Sequence, residues 1–164
     1  MTPTLAGARI VLRPLLMADA KALFVALSDP EVQRYRKDAP HADVAETRAY
    51  IEKSHAAGLA WAITEDGGEA LGRLALRVNG RSGEFGIVLR RSAHRRGLAL
   101  KALTLAEAYA SDTLGLTRLT ANIDAENAAS IGLFERAGFA HDAPRRRVSH
   151  LGARDEVVLT KSRA

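Results

Sequence analysis

The 164-residue chain carries a net charge of +5, which favours anionic ligands without naming one. It contains no cysteine, which excludes disulfide staples, thiolate metal sites and a cysteine nucleophile. No apolar run reaches the roughly 20 residues of a membrane span, and Arg9, Arg13 and Pro14 interrupt the N-terminal apolar residues, so the expectation is a cytoplasmic protein with residues 1–164 in one domain.

Residues 8–13 read as a first strand, with Ile10 and Leu12 on one face and Val11 on the other. Asp19 is placed to N-cap a helix through Leu27 whose apolar face includes Leu23, Phe24 and Leu27. Asp29-Pro30-Glu31 restarts a short helix with proline at a tolerated first position. Arg34 to Ala42 is polar and irregular. Asp43 and Glu46 resemble a capping box for a helix ending near Gly58. Leu59 to Thr64 reads as a strand holding the single tryptophan, Trp61. Asp66-Gly67-Gly68 and Asn79-Gly80 are turn signals on either side of a strand from Ala70 to Val78.

Residues 84–114 are the most informative stretch. Glu84 to Leu89 reads as a strand with Phe85, Ile87 and Leu89 on one face. A basic turn, Arg90 to Arg96, leads to Gly97, which opens a helix with apolar positions Ala99, Leu103, Ala106, Ala110 and Leu114. Gly115 suits the left-handed position past its end. A strand that turns through a glycine into a helix N-terminus presents unpaired N–H groups at the positive end of the helix dipole, a place for phosphate. Gly97 admits a ligand close to the backbone, and Arg90, Arg91, Arg95 and Arg96 add positive charge. The spacing is neither GxxxxGK[ST] nor GxGxxG, so P-loop and Rossmann readings fail.

Arg118 to Ile123 reads as a strand, Asn127 to Arg136 as a helix with Gly138 at its end, and Phe139 as the start of a strand. Val148 to Ser162 reads as a strand pair bent around Leu151-Gly152. Arg145-Arg146-Arg147 is expected to be a solvated basic face. The order is strand, two helices, three strands, helix, strand, helix, two strands, which describes a mixed α/β domain and not a run of parallel crossovers.

His94-Arg95-Arg96-Gly97-Leu98-Ala99 resembles the Gln/Arg-x-x-Gly-x-Gly/Ala motif of the GCN5-related N-acetyltransferase (GNAT) family, with His94 departing from the usual Gln or Arg. The segment from Asn127 to Phe139 resembles the family's Asn-x-x-Ser-x-x-Leu-Tyr/Phe-Glu-x-x-Gly-Phe. Leu12-Arg13-Pro14-Leu15, Asp19-Ala20, Leu23 and Ser28-Asp29-Pro30-Glu31-Val32 are similar to the RimJ/RimL-like branch, which acetylates ribosomal-protein N-termini. The resemblance covers nearly the whole chain. It implies the GNAT acyl-CoA N-acyltransferase fold, a mixed and mostly antiparallel sheet of six to seven strands flanked by about four helices. It also implies acetyl-CoA as cosubstrate, no metal, and a V-shaped opening between the central strand and the strand after the long helix. The cofactor-binding residues it points to are the backbone of Ile87, Val88 and Leu89, the loop His94, Arg95, Arg96, Gly97, Leu98 and Ala99, Asn127 for the pantetheine arm, and Phe134 beside coenzyme A.

Acetyl transfer to an amine needs a positioned thioester, a neutral amine and a proton for the leaving thiolate, and no covalent nucleophile. By resemblance, Glu84 is the base, often acting through water. Taken alone it reads equally as a solvated strand-end carboxylate. Ser130 is the implied donor near the leaving sulfur, against a plain reading as a helix-face hydroxyl bonded to backbone. Phe134 stands where many relatives carry a tyrosine general acid, so that route is absent. Asn127 also reads as an ordinary N-cap. The acceptor, a small-molecule amine or a protein N-terminus, is expected near Trp61, Glu84 and the Arg34-to-Ala42 loop. Related enzymes are often homodimers. A non-catalytic acyl-CoA-binding module of the same fold is the alternative. Nucleic-acid binding rests on charge alone, without stacked aromatics or a DNA-binding helix, and His41, His55, His94, His141 and His150 lack metal-ligand spacing.

Overall fold

The computed structural model describes residues 1–163. The strands among them are β1 (Leu5–Gly7), β2 (Ile10–Pro14), β3 (Leu59–Thr64), β4 (Gly72–Asn79), β5 (Ser82–Leu89), β6 (Arg118–Asp124), β7 (Ala140–His141), β8 (Arg145–Ser149) and β9 (Gly152–Ser162). They form one sheet in the order β1-β2-β3-β4-β5-β6-β9-β7, and β8 also pairs with β9. The β5–β6 pair is parallel, and the other pairs are antiparallel. The helices are α1 (Ala20–Leu27), α2 (Pro30–Gln33), α3 (Val44–Ala57), α4 (Leu98–Ala108) and α5 (Ala128–Arg136). The sheet exceeds the expected six to seven strands because it gains two short edge pieces, β1, which carries no period of its own, and β7, which is the brief strand after Phe139; β8 also begins earlier than the predicted strand pair.

Side-chain alternation divides the sheet between two cores. Leu74, Leu76, Phe85 and Leu89 share one cluster with Leu98, Ala102, Leu103 and Ala106 of α4 and with Leu133 and Phe134 of α5. Ala60, Ala62 and Val88 face the other way, into Leu23, Ala26 and Leu27 of α1 and Ile51 of α3. Phe85, Ile87 and Leu89 therefore do share a face, as their spacing predicts. Fully burying a leucine such as Leu74 or Leu103 contributes about 2 kcal/mol before chain entropy is counted.

The apolar stripe of the long helix differs from the expectation. Leu98, Ala102, Leu103, Ala106 and Ala110 are buried, whereas Ala99 is half-buried and Leu114 exposed. The cause is at the C-terminal end. α4 stops at Ala108 and a single wide turn, Tyr109–Thr113, follows, closed by the Leu114 N–H donating to the Tyr109 carbonyl at 3.1 Å. That i to i+5 closure adds a residue and rotates Leu114 off the stripe. Gly115, at φ 66°, then reverses the chain as expected.

Two acidic residues near helix starts behave differently. Asp43 caps α3 by accepting from the Glu46 N–H at 3.0 Å, and the Glu46 carboxylate reaches back to the Ala42 N–H at 2.7 Å. Asp19 does not cap α1. Its carboxylate is taken by both arms of Arg13, at 2.7 and 2.8 Å, and by the Leu16 N–H at 2.8 Å. A bidentate guanidinium outcompetes a helix N–H for the same oxygens.

The basic triplet is a solvated face at Arg145 and Arg146, which are exposed, but not at Arg147, whose side chain is 19% exposed. Arg145 to Arg147 lie in β8 opposite Glu156, Asp155 and Arg154 of β9. Asp124 and Glu156, with side chains 2% and 4% exposed, are paired across β6–β9 and need cations. Arg154 binds Asp124 at 2.8 and 3.0 Å, and Arg147 binds Glu156 at 3.0 Å. The Arg154 hydrogen bonds hold the Asp124 carboxyl below its ordinary range. Its folded pKa being lowered, this stabilisation is complete above the ordinary carboxylate pKa and is lost as pH falls through the folded value. Asp124→Asn keeps the shape and removes the charge. We predict a loss of about 2 kcal/mol in urea unfolding at pH 7, with the gap to wild type narrowing below about pH 4.

Candidate functional site

The parallel β5–β6 ladder lasts for three pairs, Ser82 with Arg118, Gly83 with Leu119 and Glu84 with Thr120. Beyond Glu84 the strands separate, and an open cleft of about 1310 Å³ runs through the gap from the α4 N-terminus to the irregular loop after α2. Ile87 and Leu89 turn their carbonyls away from β4: Leu89 accepts from His94 Nε2 at 2.9 Å and Ile87 from Arg36 Nη1 at 3.4 Å. The Val88 carbonyl is directed at Gly72 of β4, where any Cβ would strike it, and its side chain lies in the second core. Of the three backbone positions expected to face coenzyme A, Ile87 and Leu89 thus face the gap and Val88 faces β4.

His94 lines the cleft but uses its ring to brace the loop. A carbonyl only accepts, so Nε2 carries the proton in the bond to Leu89. Past it, Arg95 and Gly97 have left-handed φ values of 59° and 73°. A Cβ on Gly97 would meet nothing within 4 Å, so glycine there suits the backbone angle and leaves space open beside the helix end. The helix ladder starts with the Lys101 N–H donating to the Gly97 carbonyl at 3.1 Å. The N–H groups of Leu98, Ala99 and Leu100 precede it and have no carbonyl one turn earlier. No side chain caps them, and all three residues line the cleft. An uncapped eleven-residue helix aimed at a cavity is suited to phosphate oxygens.

The four arginines expected to add charge divide by their partners. Arg90 is structural, donating to the Ala70 carbonyl at 2.8 Å and pairing with Glu69 at 3.1 Å. Arg91 grips Asp29 at 2.8 and 3.0 Å. Arg96 pairs with Glu65 and does not line the cleft. Arg95 lines it and has no hydrogen-bond or ion-pair partner among the described residues.

On the facing helix, Asn127 caps α5 by accepting from the Ser130 N–H at 3.2 Å, and its amide nitrogen stays free for a ligand. Ser130 lines the cleft, half-buried, and its hydroxyl makes no bond to backbone among the described residues. Phe134 is 1% exposed and packs edge-to-face on Phe139, with centroids 5.1 Å apart. It forms the cleft's apolar wall and is equally a core residue. Glu84 sits at the last β5–β6 pair, where the strands part, with a 36% exposed side chain and Arg77 at 3.4 Å. So exposed a pair is a weak tether.

Trp61 does not belong to the site. It is fully buried, and its indole N–H donates to the Pro3 carbonyl at 2.7 Å. The end of the cleft away from α4 is instead lined by Arg36, which lies in the Arg34-to-Ala42 loop expected there, and by Tyr50 and Arg73, which sequence reasoning missed. Arg73 offered a signal: it is the one charged residue in the Gly72–Leu76 run of β4. Tyr50 offered none.

The acetyltransferase (GNAT) domain model matches residues 9–140, so the chain belongs to the GNAT family and with it to the acetyl-CoA-dependent N-acetyltransferases. The chain is 30% identical over 146 residues to the uncharacterized N-acetyltransferase p20 of Bacillus licheniformis, covering 83% of this chain and 82% of that protein. Its fold is similar to that of an acetyltransferase (GNAT family) from Bacillus anthracis, with a TM-score of 0.89 at 19% identity over 98% of both chains. It is also similar to Mycobacterium smegmatis RimJ in complex with CoA-disulfide, with a TM-score of 0.83 at 22% identity over 98% of this chain and 86% of that one. The mixed, mostly antiparallel architecture agrees with the sequence expectation. The described residues include no helix long and apolar enough to cross a membrane.

The partner analysis separates the arginines experimentally. Arg95→Ala is expected to weaken coenzyme A binding about tenfold, the size of a lost charged hydrogen bond. Arg96→Ala, whose side chain is engaged by Glu65, should change it less than about threefold. Isothermal titration of both variants checks the ranking.

Proposed function

We propose that residues 1–164 act as a single acetyltransferase domain that moves the acetyl group of acetyl-CoA directly to a primary amine bound in the same cleft. The observation that carries this is the continuity of one cleft between the uncapped α4 N-terminus and the parted strands β5 and β6. The α4 end and Arg95 hold the pyrophosphate. The outward carbonyls of β5 and the free amide of Asn127 hold the pantetheine arm, with Phe134 as an apolar wall. This delivers the thioester to the region between Glu84 and Ser130.

An amine attacks only when neutral. Glu84, at the fork of the strands, takes the ammonium proton directly or through water. The amine nitrogen then bonds the acetyl carbon and the carbon–sulfur bond breaks. Ser130 hydrogen-bonds the departing sulfur, since Phe134 has no proton to give. The thiolate is stable enough near neutral pH for a weak donor to serve.

The binding half of this reading is tested by Gly97→Glu, which places a negative side chain where the pyrophosphate lies. Acetyl-CoA binding should be lost in calorimetry while circular dichroism stays that of the wild type. Unchanged affinity in the folded variant removes the site. The chemical half is tested by kinetics. Glu84→Gln should lower turnover most at low pH, where more amine is protonated. Ser130→Ala should lower it by about 10²-fold or less, with acetyl-CoA affinity preserved. Wild-type turnover in Ser130→Ala would assign the proton to solvent.

A further inference from the structure

The acceptor side of the cleft holds two guanidinium groups that form no ion pair with a carboxylate among the described residues. Tyr50 of α3 accepts from both, from Arg36 Nη2 at 2.9 Å and from Arg73 Nη1 at 2.5 Å. Arg73 also lies over the Tyr50 ring, 4.8 Å from its centroid. Burial pushes the Arg73 pKa down from its ordinary value; Tyr50 opposes that shift, and the neighbouring cations Arg36 and Arg77 add to it. Its Nε is buried without a partner. A neutral phenol oxygen shared by two cations does not neutralise either, and a desolvated guanidinium without an anion is costly. The chemistry that would satisfy this arrangement is an oxyanion.

The register of β4 and β5 shows where that anion would lie relative to the chemistry. Arg73 stands opposite Val88, Ala75 opposite Gly86, and Arg77 opposite Glu84. Alternation puts Arg73, Ala75 and Arg77 on one face with Glu84, Gly86 and Val88. Between the cationic Arg73 and the anionic Glu84 the sheet therefore carries one methyl group and one glycine. A Cβ on Gly86 would meet nothing within 4 Å, so the floor between the two charges is open. Arg73 and Glu84 are offset by four positions of the ladder, about 13 Å along the backbone.

We propose that the acceptor is a small zwitterion, a primary amine that also carries a carboxylate. Its carboxylate is held by Arg73 and Arg36 and its ammonium faces Glu84. This rests on the acetyl-transfer reading above. The ammonium loses one proton through Glu84, and the amine forms the amide C–N bond as the thioester C–S bond breaks. The second nitrogen proton leaves with the sulfur as the free thiol. Tyr50 is a positioning residue that orients the two guanidinium groups.

The test compares matched pairs. Free amino acids are assayed against their own carboxamides, which keep the amine and lose the negative charge, and coenzyme A release is followed with acetyl-CoA saturating. The acids should be preferred in kcat/KM by about 10- to 100-fold, the range of charged hydrogen bonds. Arg73→Met should collapse that preference. Arg36→Gln, on an irregular loop, should reduce it even if Arg73→Met fails to fold. A second pair, Ala-Asp-Ala and Ala-Asn-Ala with amidated C-termini, distinguishes the source of the carboxylate: preference confined to this pair assigns it to a peptide side chain. Equal rates within both pairs, or a preference that survives both variants, each overturn the inference alone, whereas no turnover of any compound by a chain that binds acetyl-CoA overturns the acetyl-transfer reading and the inference with it. Absence of acetyl-CoA binding overturns the acetyl-transfer reading and the inference with it.

Discussion

Everything in this fold turns on a ladder that stops. β5 and β6 pair for three residues and then part in the middle of a sheet whose other strands remain joined. Interior backbone groups without partners cost about 1–3 kcal/mol each, so a gap in a sheet must be supplied with other donors and acceptors. His94 and Arg36 supply some of them from the loops on either side. The rest of the gap is space, and the fork point itself is where Glu84 sits.

The cleft is electropositive at both ends for different physical reasons. At the α4 end the charge is largely backbone: unpaired N–H groups and the helix dipole, with Arg95 added. At the other end it is side-chain charge, from Arg36 and Arg73 gathered on Tyr50. The first kind has fixed geometry and suits a phosphate of any attachment. The second depends on rotatable guanidinium groups and can distinguish one small anion from another. One fold thus separates a general grip from a selective one by using backbone for the former and side chains for the latter.

How much of this was legible in the sequence follows from the range of each interaction. The strand-turn-helix from Glu84 through Gly97 was readable because period, glycine and charge act within a few residues. The same holds for Asn127, whose cap on Ser130 lies within one turn. The Asp19 contact was misread because Arg13, six residues away on a strand, claims its carboxylate. The shifted stripe of α4 came from a wide turn that no residue type announces. Arg147 looked solvated because its partners, Asp124 and Glu156, meet it only after β6, β8 and β9 are assembled. Trp61 was expected near the acceptor, but its ring fills the core and its N–H is satisfied by Pro3. Arg36 and Arg73 come together across more than 35 positions of chain; Arg73 shows only as a lone charge in an apolar strand, and Arg36 has no local pattern beyond its place in an irregular loop.

The hairpin of β8 and β9 does more than end the sheet. Arg147 donates to the Tyr35 carbonyl at 2.6 Å, and the His150 N–H donates to the Lys37 carbonyl at 2.9 Å. The irregular loop that carries Arg36 is therefore propped from outside by a segment more than a hundred residues later, and that segment lies beyond the span, ending at residue 140, over which the family model matches. The two segments form one exchangeable part split across the sequence. Grafting the loop alone into a relative would leave Tyr35 and Lys37 without their props. A transplant of this end of the cleft from this protein to another has to move loop and hairpin together.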